Sequence, residues 1–244
     1  MSEDLSEILR DWPYEPGQLQ VRKIEGSDGK PKLQLRLDMG VLQLELNGRP
    51  DGHEPFDCES LLEYHQQRAK TEEVQLNEDE VAEMQAEGIQ YYHRYLALFQ
   101  LGDWKAVVRD TKRNLDMFSF VAEHAESEDL VWAVQQFRPY VLMMNTRAKA
   151  SMALDKDDMG AAIALVEKGI TKIEAFLREA GREDSDVEGD EITSLRGWLK
   201  ELREKKPLTP LEKLNRDMDA AIQGEQYERA ALLRDEIRAL QEKS

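Results

Sequence analysis

The sequence predicts an α+β protein that is mostly α-helical and begins with a small antiparallel β-meander. Leucines alternate with polar residues between positions 33 and 46, which is typical of strands with one buried face. From position 59 onward, apolar residues instead recur every three or four positions, which is typical of amphipathic helices. The chain has 244 residues and is 41% hydrophobic, so it contains enough apolar side chains for a substantial core.

The β-meander is predicted from three apolar segments. The first lies near residues 19–24, and the turn-forming sequence GSDGKP at 26–31 connects it to the second. The second and third segments carry two sets of alternating leucines: Leu33, Leu35 and Leu37, then Leu42, Leu44 and Leu46. A tight turn or bulge at 38–41 would place both sets on one face, which helices must cover because three strands alone are marginally stable.

Helix boundaries are predicted from cap residues and prolines. Asn77 and Glu80 form a capping box, and Asp103 caps the helix that follows. Pro139 should kink or split a later helix because proline lacks an N–H donor. The longer predicted helices span residues 59–70, 78–102, 104–122, 128–150, 158–180 and 192–205.

These elements divide the chain into four regions. They are the β-meander region 1–57, the helical region 58–180, an acidic linker with a connecting helix at 181–206, and a helical hairpin at 207–244. Region 1–57 should also contain a short helical turn near 5–10 and a turn-rich end at 47–57. The linker sequence GREDSDVEGDE, at 181–191, has almost no apolar residue, so we expect it to be solvated and mobile.

The helical region contains two similar helix pairs. The first, within YLALFQLGDWKAVVRDTKRNL, carries Ala97, Leu101, Gly102, Asp103, Trp104 and Ala106, and a looser copy carries Ala150, Leu154, Ala161 and Ala162. This pattern resembles a tetratricopeptide repeat, although the copies are about 55 residues apart rather than 34. We therefore expect a compact tetratricopeptide-like layer and not a long solenoid. Its aromatic residues either belong to the core or line an open peptide groove: Tyr91, Tyr92, Tyr95, Phe99 and Trp104.

The last 36 residues predict two short antiparallel helices. Thr209 is placed to cap the first helix, Pro210 to open it and Glu212 to complete a capping box. Gly224 is expected to provide the left-handed residue at the end of this helix. Each helix carries one apolar stripe: Leu211, Leu214, Met218, Ala221 and Ile222, then Tyr227, Ala230, Leu233, Ile237 and Leu240.

The residues of this hairpin also match a specific pattern, in which Glu-x-Ala-Ala-x-Leu-Arg-Asp-x-Ile is intact from Glu228 to Ile237. The segment resembles the UVR motif, the helical hairpin of the excinuclease B and C subunits. The family also includes adaptor and activator proteins of bacterial Clp protease systems. The resemblance implies a bacterial protein that docks an excinuclease subunit or a Clp system component. The expected protein-binding residues are Leu214, Met218, Ala221, Ile222, Tyr227, Ala230, Leu233, Arg234, Asp235, Ile237 and Leu240.

The hairpin needs a surface on which its apolar stripes can close. A two-helix unit below about 40 residues rarely buries enough apolar area to fold alone. That surface is a protein partner, a second copy in a homodimer, or the body of the same chain. At a docked interface, Arg234 and Asp235 would set register and specificity, whereas on a solvated face their ion pair would contribute little.

The charge of the chain argues against direct nucleic-acid binding. The net charge is −17, and the segment from Pro207 onward has 8 acidic and 6 basic residues, so the remainder carries −15. This charge repels phosphate, and no cluster of basic and aromatic residues offsets it.

The single cysteine excludes an intramolecular disulfide, and the sequence has neither a signal peptide nor an 18-residue apolar run. We expect a cytoplasmic protein that makes no membrane contact.

No pattern predicts a catalytic, cofactor-binding or metal site. His53, Asp57, Cys58 and His65 are close in sequence but lack the spacing of zinc ligands. The segment GSDGK is too short for a phosphate loop, and the acids around His124 are interpreted as a solvated helix junction. We therefore expect a non-enzymatic interaction or adaptor protein. The alternatives are an accessory component of nucleotide excision repair that acts through an excinuclease subunit, and a Clp protease adaptor without the cysteine-rich zinc modules of one activator family.

Overall fold

A three-stranded antiparallel sheet forms the N-terminal part of the protein. The computed structural model describes residues 4–181, 189–206 and 210–241. The strands follow one another in chain order: β1 (Val21–Glu25), β2 (Pro31–Leu37) and β3 (Gly40–Glu45). Leu33 pairs with Leu44 and Leu35 pairs with Leu42, so a two-residue turn between β2 and β3 puts both leucine sets on one face. The predicted meander is confirmed.

The opposite face of β2 is also buried, which corrects the expectation of strands with one exposed polar face. Lys32, Gln34 and Arg36 are 9% exposed or less. Arg36 Nε donates to the carbonyl of Trp12, which precedes the sheet, at 2.7 Å. Arg22 Nε donates to Gln34 Oε1 at 2.8 Å, and the Arg22 guanidinium lies 4.1 Å from the centre of the Trp12 ring. Polar side chains remain buried here because neighbouring groups satisfy their hydrogen bonds.

The helices before the C-terminal hairpin are α1 (Ser6–Asp11), α2 (Leu61–Arg68), α3 (Glu78–Gln100), α4 (Trp104–His124), α5 (Glu128–Gln135), α6 (Arg138–Leu154), α7 (Met159–Glu179) and α8 (Asp190–Lys205). The predicted capping box is present at α3, where Asn77 Oδ1 accepts from the Glu80 N–H at 3.0 Å and Glu80 Oε2 accepts from the Asn77 N–H at 3.1 Å. Asp103 caps α4 through the Ala106 N–H. Pro139 is the second residue of α6, and the predicted helix is split just before it into α5 and α6.

The chain divides into two compact units, Met1–Leu199 and Lys200–Ser244. In the first unit, the leucine face of the sheet shares one core with α3, α4 and α6. Its buried members include Leu33, Leu35, Leu44, Tyr95, Leu98, Val107 and Met144. A second core cluster contains residues of each helix from α2 through α6. Its buried members include Leu76, Val81, Met84, Val121 and Val134. Helices therefore cover the sheet, as its leucine pattern requires.

A buried ion pair ties β3, α3 and α4 together. Arg94 is 1% exposed and Asp110 is fully buried. Arg94 Nε donates to Asp110 Oδ2 at 2.7 Å, and Arg94 Nη2 donates to Asp110 Oδ1 at 2.9 Å. The remaining guanidinium nitrogen, Nη1, donates to the carbonyls of Glu45 at 3.0 Å and Gly48 at 2.8 Å. One arginine therefore fixes two helices against the end of the sheet.

A second buried carboxylate continues this network. Glu87 of α3 is fully buried and accepts the Leu61 N–H at 2.9 Å, which holds the start of α2. Arg49 Nε lies 3.0 Å from Glu87 Oε1, and Arg113 of α4 contacts the other carboxylate oxygen. Charges at such depth remain ionised only when they are paired. The network is therefore a structural constraint on how the loop after β3 meets the helices.

Three helix-to-helix turns within the described residues have the same geometry. In each, a left-handed residue precedes the residue that leads into the next helix: Gly102 and Asp103, Asp157 and Asp158, Glu225 and Gln226. The N–H of the left-handed residue bonds to the carbonyl three residues earlier, and the next N–H bonds to the carbonyl five residues earlier, at 2.8–3.0 Å. This is a Schellman motif. The first two turns explain why the two segments of the helical region look alike in sequence.

The turn of the C-terminal hairpin corrects one expectation. The hairpin consists of α9 (Pro210–Gln223) and α10 (Tyr227–Gln241). Its left-handed residue is Glu225, with φ 56°, and not Gly224. A side chain at this position costs about 1–2 kcal/mol because its Cβ crowds the backbone. The expected cap at Thr209 and most of the acidic linker, residues 182–188, lie outside the described residues.

Removing the carboxylate of Asp110 should destabilise the first unit strongly. Asp110→Ala leaves Arg94 buried without its charged partner, so we expect the free energy of unfolding to fall by about 3–5 kcal/mol. Asp116→Ala, on the same helix, removes only a half-exposed ion pair with Lys112 and should cost about 0.5 kcal/mol or less. Urea denaturation of both variants measures the difference. Equal losses would show that the Arg94 pair does not hold the fold.

Replacing Glu225 by glycine should stabilise the hairpin. Glycine adopts the left-handed conformation without a steric penalty, so Glu225→Gly should gain about 1 kcal/mol, which corresponds to about fivefold slower hydrogen exchange of amides in α9 and α10. Glu225→Ala keeps a Cβ at the same φ and serves as the matched control. Equal protection in the two variants would argue against strain at this residue.

Candidate functional site

The two helices of the C-terminal hairpin pack on each other through small and branched side chains. Ala221 of α9 and Ala230 of α10 are 4% and 9% exposed, and Ile237, two turns further along α10, is 8% exposed. The spacing of seven residues between Ala230 and Ile237 places them on one face of the helix. These three predicted docking residues are therefore buried in the structure.

Other members of the predicted apolar stripes lie beside this buried set. Leu214 and Met218 of α9 and Leu233 and Leu240 of α10 are half-buried. Half-buried leucines at the margin of a two-helix contact still expose apolar area. These positions contribute both to the hairpin and to the surface that surrounds its buried residues.

Among the described residues of the hairpin, the most exposed large apolar side chains lie at the turn and in the middle of α10. Ile222 and Tyr227, which flank the turn, are 48% and 68% exposed. Leu232 is 67% exposed and was not among the predicted docking residues. It lies two residues, or about 200°, from Ala230 around the helix, so it occupies the face opposite the buried one. The three-and-four spacing of the stripe gave no signal for Leu232.

Each helix of the hairpin carries an exposed arginine–aspartate pair. Arg216 Nη2 lies 2.8 Å from Asp217 Oδ1 on α9, and Arg234 Nη2 lies 2.8 Å from Asp235 Oδ1 on α10. The Arg234 and Asp235 side chains are 69% and 65% exposed. Pairs of such exposure contribute little to stability because water screens them. Their charged groups are accessible to a binding partner.

The aromatic residues of α3 and of the start of α4 are buried or half-buried. Tyr91 and Tyr95 are 4% and 1% exposed, whereas Tyr92, Phe99 and Trp104 are half-buried. The centre of the Tyr91 ring lies close to two guanidinium groups, 4.9 Å from that of Arg94 and 4.3 Å from that of Arg113. Burial raises the pKa of Tyr91 to about 12. Tyr91 and Tyr95 are therefore not available to a peptide in a surface groove.

The histidines and the cysteine considered as metal ligands occupy different surroundings. Cys58 is 6% exposed, and burial raises the pKa of its thiol. His65 is 3% exposed with Nδ1 3.2 Å from Arg68 Nη1, and burial lowers its pKa. His53 is exposed. Among the described residues, no group of three or more His, Cys, Asp or Glu side chains is arranged to hold a metal ion.

The junction around His124 has a structural role. His124 stacks on Phe120 with the ring centres 4.1 Å apart, and its Nδ1 lies 2.9 Å from the Phe120 carbonyl oxygen. Glu123 and Glu126, on either side, are exposed.

Within the described parts of the chain, no helix has the length and apolar character needed to cross a membrane.

Comparison with known proteins identifies the hairpin. Searches of characterised proteins and of solved structures found no match to this chain. The tetratricopeptide resemblance of the helical region therefore stays a prediction. A family model does match the C-terminus, and it begins and ends within a residue or two of the predicted helix pair. Residues 209–243 match the family model of the UVR motif, described as the UvrB/uvrC motif.

Proposed function

We propose that this chain is a non-enzymatic bacterial cytoplasmic adaptor that docks a protein partner through its UVR hairpin. The observation that carries the proposal is the set of exposed apolar side chains on the matched segment, Ile222, Tyr227 and Leu232. Exposed apolar groups gathered on a short element are typical of interaction sites. Motifs of this family occur in excinuclease subunits and take part in protein–protein contacts.

The contrast between buried and exposed apolar side chains in the hairpin supports docking. Ala221, Ala230 and Ile237 are buried in the hairpin, whereas Tyr227 and Leu232 are about two thirds exposed. An exposed tyrosine is a favourable interface anchor because it buries a large ring at a small cost in conformational entropy. A single hairpin presents an area at the low end of interface sizes. We therefore expect modest, reversible affinity.

A second candidate function is accessory action in nucleotide excision repair. The description of the matched motif names the excinuclease subunits, so the corresponding hairpin of such a subunit is a candidate partner for this surface. In that case the protein would reach DNA only through the subunit, since the chain carries a net charge of −17. A Clp system component and a second copy of this chain are the other partners consistent with the same residues.

Docking should depend on the exposed side chains of the hairpin. We expect the intact chain to capture a partner from bacterial extract, and a chain ending at Lys206 to fold but capture none. Tyr227→Ala with Leu232→Ala should weaken capture at least about tenfold while leaving helicity unchanged, because both side chains are exposed in the free protein. Met39→Ala is the matched control, since Met39 is 86% exposed on the β2–β3 turn.

Three outcomes would argue against this proposal. Identical partner sets for the intact and shortened chains would place the interface outside the hairpin. Insolubility of the chain ending at Lys206 would show that the hairpin is a structural cap. Loss of capture with Met39→Ala would point to a surface on the sheet. Sedimentation of the purified chain separates a homodimer from a complex with a different protein.

The purified chain should not bind duplex DNA directly. Phosphate neutralisation dominates protein–DNA affinity, and this chain has 50 acidic against 33 basic residues. At about 0.15 M salt we expect only weak, non-specific association by fluorescence anisotropy, with undamaged and with damaged duplex. DNA association in extracts should require both the hairpin and a second protein. Sub-micromolar binding by the chain alone would contradict the adaptor proposal.

A further inference from the structure

Large apolar side chains of α3 and of the start of α6 remain exposed in the first unit. Ile89 of α3 and Phe137, the residue before α6, are 50% and 48% exposed. Tyr92 and Tyr140, each three residues further along the same helix, are half-buried. We call these four residues the aromatic face. It shares no residue with the hairpin used in the proposed function.

Two contacts place the residues of the aromatic face side by side. Gln85 Nε2 donates to the Ala133 carbonyl at 3.4 Å, and the rings of the two tyrosines lie 6.1 Å apart. In both contacts the partners are 48 positions apart in the chain. Ile89 and Phe137 have the same separation, and they follow Gln85 and Ala133 by four positions, so they lie on the same helical faces. The two most exposed apolar side chains are therefore neighbours.

The surface around the aromatic face is poor in charge. Residues 85–96 and 133–144 contain only three charged residues, Glu87, Arg94 and Arg138, whereas 34% of the whole chain is charged. Glu87 and Arg94 are buried in the ion-pair network described above. Arg138 is half-buried and donates to a serine hydroxyl of α4 at 2.9 Å. These two segments therefore expose no charged side chain.

The composition of this surface is that of a protein interface. Aromatic residues and methionine are enriched at interface cores, whereas Lys, Glu and Asp are depleted. Here the aromatic face is bordered by half-buried Gln90, Leu96 and Met143. His93, also half-buried, adds no charge at neutral pH because burial lowers its pKa. A partner that covers this surface would have to desolvate no ionised group on it.

The charge of the chain indicates which partner fits an uncharged surface. Two copies of the chain carry −17 each, so they repel each other wherever their acidic surfaces meet. The start of α3 is such a surface, with six acidic and no basic residues between positions 71 and 83. A basic partner would bind there more favourably than on the aromatic face. A second copy of this acidic chain, in contrast, can approach closely only where charge is absent.

We propose that the aromatic face is the contact between two copies of the chain, related by a twofold axis so that each copy presents the same four residues. Ile89 and Phe137 expose roughly 200 Å² per copy, well below the ~800 Å² per partner of a standard interface. The contact must therefore include the half-buried residues around them. We expect a weak dimer, with a dissociation constant on the order of 10–100 μM.

Such a dimer would carry two hairpins. Two linked hairpins bind a partner with two sites more tightly than one hairpin does, because the second contact forms within the complex. This consequence rests on the proposed hairpin docking, whereas the dimer itself does not.

The test is sedimentation velocity of the full chain between about 5 and 300 μM, at about 0.15 M sodium chloride. We expect a monomer–dimer equilibrium that shifts toward the dimer as concentration rises. Phe137→Glu should weaken dimerisation at least about tenfold, because it places an unpaired carboxylate in the contact of each copy. Met39→Glu is the matched control, since it adds the same charge at a residue that is 86% exposed on the β2–β3 turn. This control should dimerise as the unchanged chain does.

The salt dependence of dimerisation is a second measurement. An apolar contact between two acidic chains works against long-range repulsion, and added salt screens that repulsion. The Debye length falls from about 10 Å at 0.1 M salt to about 3 Å at 1 M, so we expect dimerisation to strengthen at least about threefold over this range. A contact built from ion pairs would weaken instead, which would contradict the proposal.

Two sedimentation results would also overturn the proposal: a monomer at every concentration, and equal weakening by Phe137→Glu and Met39→Glu. Circular dichroism must show that Phe137→Glu keeps its helical content; if it does not, Ile89→Gln replaces it and should weaken dimerisation at least about threefold. Tyr227→Ala with Leu232→Ala should leave the dimer intact. Loss of the dimer in that variant would place the contact in the hairpin, so failure of this proposal and failure of hairpin docking are distinguishable.

Discussion

The contact between Arg94 and Asp110 is the constraint on which the rest of the first unit depends. Two long helices present one charged side chain each to the same buried position, and neither charge is tolerated there alone. Because Arg94 also binds the carbonyls of Glu45 and Gly48, the end of the sheet is fixed when the helices pair. Apolar packing of the leucine face gives most of the favourable free energy, but it is not directional. The ion pair fixes how α3, α4 and the end of β3 are positioned relative to one another.

This arrangement separates a rigid region from an accessible one. Buried Arg94 and exposed Arg109 hold residues 45–48 through hydrogen bonds, whereas Glu54 and Glu59 on the neighbouring loop are exposed. A charged network of this depth costs desolvation energy, so a purely apolar substitute would serve stability at least as well.

The hairpin uses a different balance of forces. Its buried contacts are few and small, and its turn places Glu225 where glycine would be favoured. A weakly stabilised two-helix element can adjust to the surface it meets, and exposed Tyr227 and Leu232 offer that surface its largest apolar area. The body and the hairpin therefore differ physically: the body is fixed by buried ion pairs, whereas the hairpin leaves its largest apolar side chains exposed.

The local elements could be read from the sequence because their determinants are local. The alternating leucines predicted the meander, and the cap residues Asn77, Glu80 and Asp103 predicted where helices start. Pro139 predicted the break between α5 and α6, and the segment from Glu228 to Ile237 predicted the motif family of the hairpin. Tertiary structure alone decided which residues meet across the fold. Burial of Arg36 beside Trp12, the pairing of Arg94 with Asp110, and the exposure of Leu232 depend on neighbours distant in the chain. Periodicity reports which residues share a face, but whether that face meets solvent or another element is decided only when the whole chain packs.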